Sequence, residues 1–347
     1  MRNPVKKKVV LGVVTSLLSF LILFLIFNFP QTQRTAQYVP FICLYPYSYN
    51  RMTPLNQTHF VQDINIMSNL GFKGVRLTNF ECLYDEGLLE WAVDVIESYD
   101  LKLMLAFQFF DRSQSFPFPH ETWSREGFPN NSTQMNLYCD YVANVTKMVR
   151  DRENLLWYTI RYPFDSSTEE SKQSWIGKVQ TIEYCNGVQR IIDSIRIHDT
   201  SHDVYLAVDL WSADSFPIYD ELPYNFSGVS GYGFHYYTKR GTYNYVNYTL
   251  LDRLYDYFKD KGKVYVDEWG IQTNQTDLHG RATSEEDKAK MIEGFIHHFY
   301  NKDIVWCYFG LHDFPPEKAD FGLIDENHNP RLGGLIMYEL LNEDLIS

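Results

Sequence analysis

Val264-Tyr265-Val266-Asp267-Glu268-Trp269-Gly270 is the stretch on which the fold turns. Residues of strong strand propensity run into an acidic pair, and the run breaks at Gly270. Lys263–Val266 is the seventh of eight such apolar runs in chain order, with Val39–Leu44, Gly74–Leu77, Leu101–Phe107, Leu155–Ile160, Val204–Leu210, Val229–Phe234 and Ile304–Phe309. Most are nearly continuous rather than alternating, as parallel strands covered on both faces must be. Helical stripes lie between them. Phe60, Ile64 and Met67 make one; Leu88, Leu89, Ala92, Val93 and Ile96 another; Leu137, Tyr141, Val145 and Met148 a third. Val188, Ile191, Ile192 and Ile195 follow, then Leu250, Leu251, Leu254 and Phe258, then Ile292, Phe295, Ile296 and Phe299, and finally Leu332, Leu335, Ile336 and Leu340. Strands that each lead into a crossover, over roughly 300 residues, predict an α/β chain folded as a (β/α)8 or TIM barrel. An open doubly wound sheet would place a glycine-rich phosphate turn after its first strand. Phe41-Ile42-Cys43-Leu44-Tyr45-Pro46-Tyr47 stands there instead, aromatic and unsuited to a phosphate cradle.

Of the 347 residues, 45% are hydrophobic and 22% charged, enough to bury a large core and to exclude global disorder. The net charge of −13 repels phosphate backbones and argues against a nucleic-acid partner. Aromatic side chains reach 16%, which fits either a large core or a groove that stacks on sugar faces. The five cysteines, Cys43, Cys82, Cys139, Cys185 and Cys307, follow no metal-ligand spacing, and an odd number cannot pair completely. Cys139 with Cys185 is the expected bridge if one forms, and the other cysteines read as buried thiols.

Ahead of the barrel, residues 1–8 read as a cytoplasmic tail and 9–30 as a transmembrane signal-anchor helix. The apolar run Val9–Phe29 is 21 residues long, and about 20 cross the hydrocarbon layer. Lys6, Lys7 and Lys8 precede it and keep the N-terminus inside. A cleaved signal peptide would have a shorter core and a small-x-small site, which Phe27-Asn28-Phe29-Pro30 does not offer. Residues 31–37 form a polar linker, and 38–347 the barrel domain. Asn-x-Ser/Thr sequons at Asn56, Asn130, Asn131, Asn144, Asn225, Asn247 and Asn274 agree with an extracytoplasmic, glycosylated domain. The expectation is a single-pass type II membrane protein whose C-terminal domain faces the cell surface or a secretory lumen.

In a barrel the chemistry sits where strands end. The carboxylate of Glu268, delivered to the end of the seventh strand, could attack an anomeric carbon and form a glycosyl-enzyme. Arg76 and Tyr237 are candidates to keep it charged and aimed. The competing reading is a structural salt bridge between Arg76 and Glu268. Arg161 and Tyr162 end the fourth strand, Trp211 follows the fifth, and His235 stands at the sixth.

These motifs together resemble the clan-A glycoside hydrolases, in particular the cellulase and β-mannanase type of barrel. Gly71-Phe72-Lys73-Gly74-Val75-Arg76-Leu77 resembles that group's second strand, whose Arg contacts the nucleophile. Phe234-His235-Tyr236-Tyr237 is similar to its His-x-Tyr, and Val266-Asp267-Glu268-Trp269-Gly270 resembles its nucleophile strand. Trp306-Cys307-Tyr308-Phe309 resembles the eighth strand, with Phe309 where an aromatic platform is usual, and Phe321 to Arg331 resembles the turn before the last helix. The resemblance implies a retaining β-glycoside hydrolase or transglycosylase with Glu268 as nucleophile. It implies an oligosaccharide or glycan, contacted by Arg76, Arg161, Trp211, His235, Tyr237, Trp269 and Phe309.

The fourth strand departs from the pattern. The family ends it Asn-Glu-Pro, with Glu the general acid/base; here the run is Trp157-Tyr158-Thr159-Ile160-Arg161-Tyr162-Pro163, so Tyr162 holds the acid/base position. Gln108 also stands where the third strand often carries His. General acid catalysis is worth ~10²–10⁴-fold, and a phenol with a reference pKa near ~10 replaces a tuned carboxylic acid poorly. Three readings follow. Another carboxylate serves as acid: Asp165 first, or Glu169, Glu170 or Asp209. Alternatively, the leaving group needs no proton, as with the phosphate of a lipid-linked sugar held by Arg161. Otherwise the barrel has lost catalysis and binds or scaffolds glycans.

No cofactor motif is present, and no metal is expected. His297 and His298 are adjacent on a helix and face different directions, and His279, His312 and His328 sit in loops without ligand spacing. Asp325, Asn327 and Asn329 alternate like part of a calcium loop but lack its Gly and terminal Glu.

Overall fold

In a computed structural model of the chain, the residues described are 40–44, 56–78, 80–107, 132–162, 182–208, 226–237, 246–273, 283–300, 302, 304–313, 321–325 and 327–342. All belong to the unit Tyr38–Ser347. The expected anchor, residues 9–30, and the linker lie outside them. No described helix is long and apolar enough to cross a membrane.

The strands are β1 (Pro40–Leu44), β2 (Gly74–Thr78), β3 (Lys102–Phe107), β4 (Leu155–Tyr162), β5 (Asp203–Val208), β6 (Gly231–Tyr237), β7 (Lys263–Gly270) and β8 (Trp306–Tyr308). They pair in parallel, in chain order, and β8 returns to β1 to close the barrel. The helices described are α1 (Gln57–Asn69), α2 (Glu81–Asp85), α3 (Leu89–Ser98), α4 (Ser132–Val149), α5 (Ile182–Arg196), α6 (Tyr248–Lys259), α7 (Glu285–Tyr300) and α8 (Leu332–Asn342). The short helix α2 has too few residues to show an apolar period and was not foreseen.

Local chemistry sets the helix ends. The Asn56 side chain accepts from the backbone N–H groups of Thr58 and His59 and starts α1; Asn247 accepts from Leu250 and starts α6. Two of the expected glycosylation asparagines are thus also helix caps. Asn144 sits exposed on α4, its amide donating to Tyr84. Asn130, Asn131, Asn225 and Asn274 lie outside the described residues. Gly71 ends the first helical unit at φ +94°, and Asn342 at the end of α8 donates to the Leu70 carbonyl, 3.3 Å away, so the last helix is tied to the first.

Two cores result. The larger lies between strands and helices, where Ile64, Val93, Val145, Ile192, Leu254 and Phe295 are buried. The smaller fills the barrel with Phe41, Cys43, Met104, Tyr205, Tyr265, Cys307 and Phe309. Trp157 packs among these rings, with centroids 5.3 Å from Phe41, 5.5 Å from Tyr205 and 5.6 Å from Tyr265. Room for them comes from glycine. A Cβ at Gly74 would meet the Phe41 ring at 2.3 Å, and one at Gly233 the Tyr265 ring at 2.5 Å. More of the described buried aromatics, Phe72, Tyr158, Trp269 and Trp306 among them, lie in the larger core between strands and helices.

Cys43, Cys139, Cys185 and Cys307 are in no disulfide, so the expected bridge between Cys139 and Cys185 is not formed. Burial pushes the Cys139 thiol's pKa up. The Cys43 and Cys307 sulfurs lie 3.3 Å apart inside the barrel.

Candidate active site

The acidic pair of β7 is presented by an irregularity in the sheet. Phe234 pairs with Val266, but the next residue, His235, pairs with Glu268, so Asp267 is an extra residue on β7. The same surplus appears against β8, where Val266 pairs with Trp306 and Trp269 with Tyr308. A regular strand would send successive side chains to opposite faces. The bulge turns both carboxylates toward Arg76.

Arg76, in mid-β2, is fully buried and donates to both carboxylates. Its Nε reaches Asp267 Oδ1 at 3.0 Å, Nη2 reaches Asp267 Oδ2 at 2.6 Å, and Nη1 reaches Glu268 Oε1 at 2.5 Å. The fork geometry of the guanidinium suits this task; a lysine could not grip both groups. His235 Nε2 lies 2.6 Å from Asp267 Oδ2 and its Nδ1 3.5 Å from Glu268 Oε2. The Tyr265 hydroxyl donates to Asp267 Oδ1 at 2.5 Å, which leaves it to accept from Thr159 Oγ1 at 2.7 Å. Burial alone would raise the Asp267 pKa. Arg76 and the bonds from His235 and Tyr265 outweigh burial and hold it below the usual carboxylate range. The same surroundings push the Tyr265 phenol up, through burial first and Asp267 second.

Glu268 differs from its neighbour. Its second oxygen, Oε2, accepts from the Tyr237 hydroxyl at 2.5 Å, and 4% of the residue is exposed where Asp267 has none. It is therefore the carboxylate nearer solvent at the carboxyl ends of the strands, gripped on one oxygen by a guanidinium and on the other by a phenol. The Tyr237 ring is set edge-on between Phe309, at 5.3 Å, and Phe321, at 5.6 Å.

The structure thus brings Arg76, His235, Tyr237 and Glu268 into one cluster, with Phe309 against Tyr237. Asp267, Tyr265 and Thr159 complete it. Asp267 was visible only as half of an acidic pair, and Tyr265 and Thr159 carried no signal beyond membership of a strand-like run. Arg76 and His235 were expected to contact substrate, but they are almost wholly buried and face the carboxylates. Their place is behind the Glu268 carboxylate. Trp269 also departs from expectation. Its ring is buried and stacks on Phe295 of α7 at 3.7 Å, on the helix side of the sheet. Once the bulge has turned Glu268 inward, the next residue must point out.

Arg161 and Tyr162 close β4 opposite Ala207 and Val208. Their side chains, and Gln108, Asp165, Glu169, Glu170, Asp209 and Trp211, lie outside the described residues.

His235, Asp267 and Glu268 gather closely enough to suggest a metal, but the Arg76 guanidinium already bridges both carboxylates and would repel a second cation. The Asp325 carboxylate accepts from the backbone N–H groups of Asn327 and Asn329, at 2.8 and 2.9 Å, so the Asp-x-Asn-x-Asn alternation builds a turn. His312 and His328, unremarkable in sequence, meet at Asp63.

No family model matches the chain, and no curated protein matches it by sequence. Solved structures do match in fold. The exo-β-1,4-mannosidase Op5Man5 of Opitutaceae bacterium strain TAV5 superposes with a TM-score of 0.61 at 13% identity, over 88% of this chain and 59% of that one. The endoglucanase Cel5A of Pseudomonas stutzeri gives 0.61 at 13% identity, over 89% and 96%. A GH5_18 variant from Streptomyces cattleya, in complex with Manβ1-4GlcNAc, gives 0.64 at 14% identity, over 88% and 81%. The likeness is one of fold: the eight-stranded parallel barrel on which these glycoside hydrolases are built.

Proposed function

We propose that this chain is a carbohydrate-active barrel that processes β-glycosides with retention, Glu268 serving as nucleophile. One observation carries the reading: the Glu268 carboxylate stands at the carboxyl end of β7 with Arg76 on one oxygen and Tyr237 on the other. In this reading a Glu268 oxygen attacks the anomeric carbon as the bond to the leaving oxygen breaks, and the electron pair departs with that oxygen. Water then attacks the glycosyl ester, loses its proton to solvent and frees the carboxylate. Arg76 and Tyr237 lower the basicity of Glu268 as a leaving group in this second step, where negative charge returns to it. Asp267, His235 and Tyr265 fix Arg76 from behind.

The proton donor is unconventional in this proposal. Either an acid outside β4 serves, Asp165 being the first candidate, or the leaving group is a phosphate that needs no proton. The second form suits a lipid-linked sugar held by Arg161, since the apolar segment 9–30 would keep the domain at a membrane, outside the cytoplasm. Tyr162 at the acid/base position favours one competing reading, a barrel that binds glycan without cleaving it.

Turnover of activated aryl glycosides and sugar phosphates by the wild type and by Glu268→Gln separates these readings. Turnover lost in Glu268→Gln supports the proposal. Equal turnover refutes the nucleophile assignment. No turnover by either protein, with both retained on an oligosaccharide affinity gel, favours the binder.

A further inference from the structure

We propose a second site, independent of the first: a binding site for a zinc-like divalent cation formed by Asp63, His312 and His328. Asp63 lies on α1, His312 four residues beyond the end of β8, and His328 in the turn that leads into α8. His312 Nε2 is 2.8 Å from Asp63 Oδ1, and His328 Nε2 is 3.9 Å from the same oxygen. One ligand atom from each residue lies within 4.8 Å of the other two. Ligands about 2.0–2.1 Å from a tetrahedral zinc stand roughly 3.3–3.5 Å apart. The short edge must open slightly and the longer ones close, movements open to side chains that are 14% (Asp63), 42% (His312) and 24% (His328) exposed. Two imidazoles and a carboxylate select zinc, copper or nickel over calcium or magnesium.

Two further observations point the same way. His328 has φ +65°, one of two described non-glycine residues with positive φ. Such a conformation carries a cost and gathers at functional sites. The turn that imposes it is firmly held: the His328 N–H donates to the Asp325 carbonyl, Ile324 bridges Pro330, and Asp313 accepts from Gly322 and pairs with Arg331. His59 stands one helical turn before Asp63 on α1, its ring 6.2 Å from that of His328. The three residues leave the fourth position to water.

The site spans the seam of the barrel. β8 is three residues long and pairs with β1 to close the sheet. Asn342 already ties α8 to the end of α1. A cation on Asp63, His312 and His328 would tie the β8 loop and the last turn to the same helix. On binding, the proton on a coordinating Nε2 moves to Nδ1 or leaves to solvent.

The test uses full-length protein in detergent, stripped with a chelator and titrated with Zn²⁺ by calorimetry, with thermal unfolding in parallel. The discriminating variant is His328→Gly, because glycine accepts φ +65° more readily than histidine and the fold should survive. His312→Gln is the second. The expected result is one zinc per chain, a raised unfolding temperature in the wild type, and affinity weakened by more than about 100-fold in either variant. Co²⁺ in the same site should show the intense visible absorption of a four-coordinate ion. Absence of zinc binding by the wild type, or affinity and thermal shift in both variants equal to those of the wild type, would overturn the proposal.

Discussion

Replacing Asp267 with Asn probes the foundation of the candidate site without changing its shape. The carboxylate accepts from Arg76 Nε and Nη2, His235 Nε2 and the Tyr265 hydroxyl, at distances of 2.5 to 3.0 Å, and has no exposed surface. An amide has one acceptor oxygen. In either orientation its NH₂ meets donors: Arg76 Nη2 and His235 on one side, Arg76 Nε and Tyr265 on the other. Breaking a buried ion pair from one side costs about 3–5 kcal/mol, against a total stability of about 5–15 kcal/mol. The unfolding temperature should fall by roughly 10 °C. Urea unfolding followed by tryptophan fluorescence measures the loss. Tyr265→Phe alone removes one donor and should cost about 1–2 kcal/mol. Combined with Asp267→Asn it should cost less than the sum, because the phenol has already lost its acceptor. A loss below about 1 kcal/mol in Asp267→Asn, with simple additivity in the double variant, would refute this picture of a single buried network.

Other expectations follow from the same geometry. Tyr237→Phe keeps the ring between Phe309 and Phe321 but removes the bond to Glu268. In steady-state assays on activated glycosides, kcat should drop about 10–100-fold with the unfolding midpoint little changed. Acid should weaken the fold through Asp267 and Asp199. Burial raises both carboxyls, but Asp267 is lowered overall by Arg76, His235 and Tyr265, and Asp199 by its bonds to His202, Ser201 and Tyr158. A depressed carboxyl stabilises the fold above its unfolded value near ~3.9, and the gain is lost as pH falls through the folded value. Urea midpoints should therefore fall between about pH 5 and pH 2, less steeply in Asp199→Asn. Gly233→Ala would push a methyl into the Tyr265 ring at 2.5 Å. It should lower stability by about 1–3 kcal/mol, and an unchanged urea midpoint would contradict the packing described for the barrel.

The architecture was legible because a buried parallel strand cannot hide. With helices on one face and the barrel interior on the other, β3 and β4 must be apolar almost throughout, and their sequences show it. Arg76, Tyr237 and Glu268 were legible for a related reason: polar groups placed where apolar strands end have few purposes. Trp269 was misjudged because the bulge at Asp267 resets which residues face inward, and nothing in Val266-Asp267-Glu268-Trp269 announces an extra residue. The gathering of Asp63, His312 and His328 was invisible, since it depends on the barrel closing and bringing together residues up to 265 positions apart. That Cys139 and Cys185 form no disulfide shows the limit of counting cysteines, because an odd number without a recognised spacing carries no pairing information.

The central claim is that Glu268 forms a bond to sugar. Trapping tests it most directly, by exposing the full-length protein to activated glycosyl fluorides of gluco, manno and galacto configuration. A fluorine beside the anomeric carbon of each slows release of the glycosyl-enzyme. Peptide mass spectrometry should then find one sugar on Glu268, absent when Glu268→Gln is treated alike. A sugar ester on another residue, or none on Glu268 with any of these reagents, would contradict the account.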